Sequence, residues 1–173
     1  ASNAAIEEYE KVVRVRRETE SRTKQVRSEI ETLLKKIDRE RFESIDAFVA
    51  ALADLRRQRG HAIGLRERRY VDEAIVEELE SATAERSERL SRRCVDYLLT
   101  PGALDPYVER IRQANEQVEE VTTVAESKKL GETIDDAAAQ LEMLTETVSN
   151  LRIEDATKRT EIIDSIGSVF GSL

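Results

Sequence analysis

Apolar residues recur every three or four positions along most of this chain, and this spacing limits the fold more than any other feature. Between Ala5 and Glu40 neither proline nor glycine interrupts the pattern. Such spacing places the apolar side chains on one side of an α-helix. Because a helix of this kind depends on packing for its stability, the stripe predicts that other helices cover it. The stripe residues are Val12, Val15, Thr19, Thr23, Val26, Ile30, Leu33 and Ile37.

The composition agrees with an all-α fold. Charged residues make up 37% of the chain, which has only two prolines and six glycines and is rich in Ala, Glu, Arg and Leu. This mixture is typical of long helices and coiled coils. Intrinsic disorder is the alternative for a highly charged chain, but the sustained helical spacing favours a folded protein.

Capping residues and helix breakers divide the chain into segments. Ser44 is a candidate N-cap, Gly60 a candidate helix end before a loop over 61–64, and Thr100-Pro101-Gly102 a firm stop. A break at Gly131 is expected as well, although Gly131 could instead lie inside one helix from 105 to 150, and the last helix could kink or start anew at Asp155. We therefore predict long helices over 5–40, 66–99, 105–130 and 133–172, and a short helix over 44–59.

Four long helices of similar length, joined by short connections, favour an elongated antiparallel four-helix bundle or coiled coil, with the short helix at one tip. We expect a single helical domain over 5–173. Residues 1–4 resemble a tag-cleavage scar, which predicts a piece of a longer protein. The aromatic residues should fill the two ends of the bundle: Tyr9, Tyr97, Tyr107 and Phe170 at one end, and Phe42, Phe48 and Tyr70 at the other.

Positive charge is concentrated in one stretch of this acidic chain. The net charge is −8, yet LRRQRGHAIGLRERRYVD, residues 55–72, holds six arginines. We call residues 55–72 the arginine segment. Arginine binds carboxylates and phosphates through a planar fork of donors, so the segment is a candidate partner-binding site. The alternative is a structural role, in which the arginines pair with acids of neighbouring helices. The candidate site residues are Arg56, Arg57, Arg59, His61, Arg66, Arg68 and Arg69.

The sequence predicts no catalytic, metal or cofactor site. It contains no glycine-rich phosphate loop, nucleophile elbow or zinc-protease signature. With His61 as the single histidine and Cys94 as the single cysteine, a zinc site would need several carboxylates. Cys94 lies on an apolar stripe and is expected to be a small buried hydrophobic residue. A single cysteine allows no internal disulfide, which fits the reducing cytoplasm we expect for this protein, and the longest apolar run, residues 47–53, is far shorter than a membrane span.

Three stretches together resemble the helical region of large bacterial proteins known as DNA repair ATPases, which carry an AAA-type ATPase module elsewhere. The stretches are ALADLRRQRGHAIGLRERRYVD (51–72), LSRRCVDYLLTPGALDPY (90–107) and VSNLRIEDATKRTEIIDSIGSVF (148–170). The resemblance covers most of residues 40–173. It implies a non-catalytic helical segment of a nucleotide-driven machine, whose nucleotide-binding loop lies outside this chain.

We therefore expect a spacer or docking module that presents its arginine segment to an acidic protein surface or to other domains of a parent ATPase. A DNA-binding arm is the first alternative, and the acidic net charge makes it the weaker one. A self-associating coiled coil is the second alternative, because exposed apolar rows could pair between chains. Neither a membrane partner nor a cofactor is expected.

Overall fold

The chain is all-helical, as predicted. The computed structural model describes residues 2–120, 124–150 and 156–172, with side chains described for 2–117, 124–149 and 160–172. These residues contain no β-strand. The helices are α1 (Ser2–Arg39), α2 (Ile45–Gly64), α3 (Glu73–Leu98), α4 (Asp105–Glu120), α5 (Val124–Asn150) and α6 (Ala156–Gly171), and a short 3₁₀ turn, Leu65–Glu67, follows α2. Within the described ranges, no helix is long and apolar enough to cross a membrane.

Several helix ends lie where the capping residues predict them. The Ser44 hydroxyl accepts a hydrogen bond of 3.2 Å from the backbone N–H of Ala47, and α2 begins at the next residue, Ile45. The helix α3 ends at Leu98, just before the predicted stop at 100–102. The helix α4 begins at Asp105, with its charge in the first turn, where it complements the helix dipole.

The end of α2 differs from the prediction of a short helix over 44–59 followed by a loop. The helix has 20 residues and continues through His61 to Gly64. Ala62 is fully buried and Leu65 is nearly so, and their burial holds the chain in helical form beyond Gly60. A glycine inside a helix costs only about 1 kcal/mol, which this packing outweighs. The next helix begins at Glu73 rather than at residue 66, because Arg68 is extended and Tyr70 has a φ of 64°.

The predicted break at Gly131 is wrong. Gly131 lies inside α5, between the buried residues Leu130 and Ala137. The Thr133 hydroxyl donates to the carbonyl of Lys129, one turn earlier, and so does not cap a new helix. The predicted helices over 105–130 and 133–172 are therefore replaced by α4, α5 and α6. Asp155, where the sequence suggests a kink or new start, lies outside the described residues, as does the junction between α4 and α5.

Two compact units make up the chain. The first consists of Ala1–Arg41 and Ala50–Arg89, and the second of Phe42–Val49 and Leu90–Leu173. The single domain expected over 5–173 stays a prediction. In the first unit, buried residues of α1, α2, the 3₁₀ turn and α3 form one cluster: Val26, Ile30, Ala62, Leu65, Val76 and Leu79. Val26 and Ile30 in this cluster belong to the apolar stripe of α1, as its spacing predicts.

The core of the second unit contains an aromatic cluster and the packed helices α4, α5 and α6. Phe48 stacks on Phe42 with ring centroids 4.8 Å apart, and its ring lies 5.5 Å from that of Tyr97. The predicted assignment of Tyr97 and Phe48 to opposite ends is therefore wrong. The prediction treated α2 as a short helix at the tip, whereas α2 is a full helix of 20 residues between α1 and α3. Tyr107 is buried, whereas Tyr9 and Tyr70 are exposed.

Polar contacts support the second unit as well. The hydroxyl of the buried Tyr107 donates a hydrogen bond of 2.9 Å to the carboxylate of Asp46 in the first turn of α2. The Arg110 guanidinium binds the same carboxylate at 3.1 and 3.2 Å and lies over the Tyr107 ring, 4.6 Å from its centroid. Burial, followed by the bond to Asp46, raises the pKa of Tyr107 well above its usual range.

Candidate partner-binding site

The backbone that follows α2 in the arginine segment is held at several points. The buried side chain of Leu65 anchors the 3₁₀ turn, and the N–H of Arg68 donates to the Leu65 carbonyl at 3.0 Å. The Thr19 hydroxyl of α1 donates a hydrogen bond of 2.8 Å to the carbonyl of Arg69. After Tyr70, the Asp72 carboxylate accepts a 3.0 Å hydrogen bond from the N–H of residue 74 and caps α3. The loop between α2 and α3 therefore presents its side chains from a fixed backbone.

Two of the predicted site residues are paired with the acids of α3. The Arg66 guanidinium lies 2.9 Å from the Glu80 carboxylate and 3.2 Å from that of Glu73. Arg59 also contacts Glu80, at 3.5 Å, so one carboxylate joins α2 to the 3₁₀ turn. The hydrogen bonds to Glu80 and Glu73 raise the pKa of Arg66 above its usual value. These two arginines therefore make the ion pairs with neighbouring acids that the structural alternative describes.

Arg57 has a local partner as well. Its guanidinium binds the Asp54 carboxylate at 2.8 Å, three residues earlier on α2. Arg56 is exposed and also has an interaction partner. These contacts lie at the surface, where an ion pair contributes little stability and can be replaced by a stronger partner.

Arg68 and Arg69 differ from the other arginines of the segment. Both are exposed, and neither has an ion pair within the ranges that the structure describes. The neighbouring Tyr70 is 48% exposed, and the Arg16 guanidinium of α1 lies over its ring at 4.8 Å. We call Arg68, Arg69, Tyr70 and Arg16 the exposed turn. It combines three cationic side chains with one aromatic ring on a held backbone.

His61 does not belong to this surface. It is half-buried on α2, and its Nδ1 atom is inaccessible to solvent and has no hydrogen-bond partner in the described part of the chain. The Oε1 atom of Gln58, three residues earlier, is in the same situation. A partner's carboxylate or phosphate cannot reach Nδ1, so a contact with His61 would have to use its other ring nitrogen, Nε2.

Sequence reasoning missed two residues of this region, Arg16 and Thr19. Thr19 had a detectable signal, because it is a hydroxyl residue at an apolar stripe position and is only 3% exposed. A buried hydroxyl requires a hydrogen-bond partner, which the structure identifies as the carbonyl of Arg69. Arg16 had no such signal, because its contact with Tyr70 spans 54 positions of the sequence.

The described residues show no catalytic arrangement. They contain no group of three or more His, Cys, Asp or Glu side chains that could hold a metal ion. Cys94 is fully buried, and this burial raises the pKa of its thiol to about 12. A thiol of this kind is not a nucleophile at neutral pH, because the thiolate is the reactive form.

Two concave surfaces lie within the second unit. An open groove of about 990 Å³ runs between the end of α3 and α6, with an apolar floor that includes Val169 and with Glu161 and Asp164 among its lining residues. The Ser165 hydroxyl in this groove donates to the carbonyl of Glu161 and is therefore engaged within α6. A smaller cavity of about 170 Å³ lies between α4 and α5. Both surfaces include hydroxyl and carboxylate side chains, and the Thr133 hydroxyl of the smaller one likewise donates to a carbonyl of its own helix, that of Lys129.

Comparison with known proteins yields one partial match. Residues 102–173, less than half of the chain, match a family described as a domain of unknown function, DUF7902. No curated protein matches the chain, and no solved structure matches it. The arginine segment lies before the matched residues.

Proposed function

We propose that this chain is a non-catalytic helical docking module that binds an acidic protein surface through its exposed turn. The observation that carries the proposal is the exposure of Arg68 and Arg69, which lack an ion pair within the described residues while the backbone beneath them is held by Thr19. Arginines on a held backbone lose little freedom when they bind, so they suit the bidentate capture of carboxylates. Arg59 and Arg66 are secondary members, because Arg59 must first leave Glu80, and Arg66 must leave both Glu80 and Glu73.

The wider context of the proposal rests on the resemblance of three stretches to the helical region of DNA repair ATPases. In that context, this chain is a spacer in a bacterial, cytoplasmic machine whose nucleotide site lies elsewhere. We include in the proposal the antiparallel four-helix bundle, which the packing of α5 against both α4 and α6 supports locally. The isolated chain should not hydrolyse ATP. Turnover that copurifies with the chain and disappears on a point mutation in it would contradict this.

The experiment that tests the docking site is binding of a labelled polyglutamate peptide, followed by fluorescence anisotropy. The Arg68→Ser/Arg69→Ser variant should bind about tenfold more weakly than the wild type. The matched control, Arg89→Ser/Arg112→Ser, removes the same charge from two exposed arginines that pair within their own helices. An equal loss in both variants would contradict a specific site, because it would reflect the net charge alone.

A DNA-binding arm is the second candidate, and the exposed ring of Tyr70 beside two arginines is the observation that favours it. It predicts that a short DNA duplex binds more tightly than polyglutamate at equal ionic strength. It also predicts that the Arg68→Ser/Arg69→Ser variant reduces the slope of log K against log salt by about 2. No retention of the chain on DNA at low salt would exclude this candidate.

A further inference from the structure

The first half of α1 has no buried residue, although it continues the same helix as the core-forming second half. Burial along α1 begins at Thr19 and recurs through Ile37. Before Thr19, the largest exposed apolar side chains are Ile6, at 55% exposure, and Tyr9, at 70%. The segment from residue 2 to residue 17, which we call the α1 extension, is therefore exposed over residues 2–11 and half-buried at Val12, Val13 and Val15, without a partner that covers its whole length. Packing usually supplies most of a helix's stability in water, so such an extension is expected to have one.

The exposed apolar residues of the α1 extension share one side of the helix. Ile6, Tyr9 and Val13 follow each other by three and four positions, which aligns their side chains along one face. Val13 is half-buried, and the face continues to the exposed Ile6 and Tyr9. A narrow row with this spacing is the geometry by which one helix packs along another.

The charges of the α1 extension are separated along its length. Three acids come first, and four bases follow them. None of these seven residues has an ion pair within the described part of the chain. The residues are Glu7, Glu8 and Glu10, then Lys11, Arg14, Arg16 and Arg17.

We propose that the α1 extension pairs with the same segment of a second chain in the antiparallel direction, forming a two-fold symmetric dimer. In this arrangement the acidic block of each copy faces the basic block of the other, whereas a parallel pair would oppose like charges. Ile6, Tyr9 and Val13 lie between the two helices. The segment is thus its own complement when reversed, which favours a second copy over an unrelated partner. The dimer does not use Arg68 or Arg69, and it shares only Arg16 with the exposed turn.

Sedimentation equilibrium of the full chain, from micromolar to millimolar concentration, measures the dimer directly. The Ile6→Gln/Tyr9→Gln variant should dimerise at least about tenfold more weakly, because glutamine keeps the helix and removes the apolar contact. The matched control, Ile63→Gln/Val108→Gln, changes two other exposed apolar residues and should dimerise like the wild type. A monomer at every concentration, or equal dimerisation of both variants, would overturn the proposal.

Charge reversal tests the pairing between blocks. One variant carries Glu7→Lys, Glu8→Lys and Glu10→Lys, and a second carries Lys11→Glu, Arg14→Glu and Arg17→Glu. Each variant alone should remain monomeric, because its extension carries charge of one sign apart from Arg16, which stays positive in the second variant. An equal mixture should form a heterodimer. Dimerisation of either variant alone, or a mixture that stays monomeric, would overturn the charge argument.

A distance measurement determines the direction of pairing. Spin labels attached at Ala4→Cys should lie about 20 Å apart along the axis of an antiparallel pair that is centred between the blocks. In a parallel pair they would be separated only by the distance between helix axes, about 10 Å. Cys94 is fully buried, so the label goes to residue 4. The shorter distance would overturn the antiparallel arrangement.

Discussion

The side-chain hydroxyl of Thr19 donates a hydrogen bond of 2.8 Å to the backbone carbonyl of Arg69, which lies 50 positions later in the chain. This contact joins the middle of α1 to the loop that presents Arg68 and Arg69. Tyr70, the next residue, has a φ of 64°, a conformation that costs a non-glycine residue about 1–2 kcal/mol. The Arg16 contact over the Tyr70 ring holds the same loop from the same helix. The loop conformation therefore depends on its contacts with α1 as well as on bonds within the loop itself.

Replacing Thr19 with valine tests this dependence. The variant keeps the shape of the buried side chain and removes the donor, so the free energy of unfolding should fall by about 1 kcal/mol in a urea titration. Polyglutamate binding should weaken as well, because the arginines lose their held backbone. Thr23→Val is the matched control, since the Thr23 hydroxyl donates only to a carbonyl within α1. Equal losses of stability in the two variants would show that the bond to Arg69 has no special role.

Neutralising Glu80 should strengthen the binding of an acidic partner. Glu80→Gln removes the carboxylate that pairs with both Arg59 and Arg66, so Arg59 loses its ion pair and Arg66 keeps only Glu73. We expect polyglutamate to bind about threefold more tightly in the anisotropy assay. Glu85→Gln makes the same charge change at a residue that pairs with Arg89 instead. If both variants bind equally more tightly, the gain comes from net charge and not from the released arginines.

The sequence was informative where a helix end depends on nearby residues. Ser44 caps α2 through the N–H of Ala47, three positions away, and Pro101 and Asp105 act on their immediate neighbours. Gly60 and Gly131 were misleading, because whether a glycine ends a helix depends on burial at residues such as Ala62 and Ala137.

The candidate site was predictable only as a concentration of charge. Which arginines are engaged depends on Glu80 of α3, and the spacing within residues 55–72 contains no information about it. The anchoring of Arg69 likewise depends on α1. Contacts between distant segments therefore determine which arginines pair with an acid and which, among the described residues, have no ion pair.

Glycine substitutions test the corrected helix assignments. Gly60→Ala and Gly131→Ala should each raise the free energy of unfolding by about 0.5–1 kcal/mol, because both glycines lie inside helices and a Cβ atom there meets nothing within 4 Å. Gly102→Ala should lower it, since Gly102 has a φ of 79° and its Cβ would lie 2.9 Å from the Asp105 carboxylate. Chemical denaturation gives all three values. Destabilisation by Gly131→Ala would contradict the continuous helix α5.

Cys94 should make the stability of the chain depend on pH above neutrality. Burial raises the pKa of this thiol from its usual 9.0 to about 12 in the folded state. Its contribution is therefore fully present below pH 9, and it is lost as the pH rises toward 12, because the unfolded chain releases the proton first. Between pH 8 and pH 10 the wild type should lose about 1 kcal/mol of unfolding free energy through this group.

The Cys94→Ala variant isolates this effect. It lacks the thiol, so its unfolding free energy should change less over the same interval, although its absolute stability is lower because a small cavity replaces the sulfur. The interval ends at pH 10, the usual pKa of tyrosine, so ionisation of Tyr107 contributes little to the comparison. Urea titrations of both proteins at pH 8, 9 and 10 provide the measurement. Parallel pH profiles would mean that the thiol titrates alike in the folded and unfolded chains, and that Cys94 is not sealed in the core.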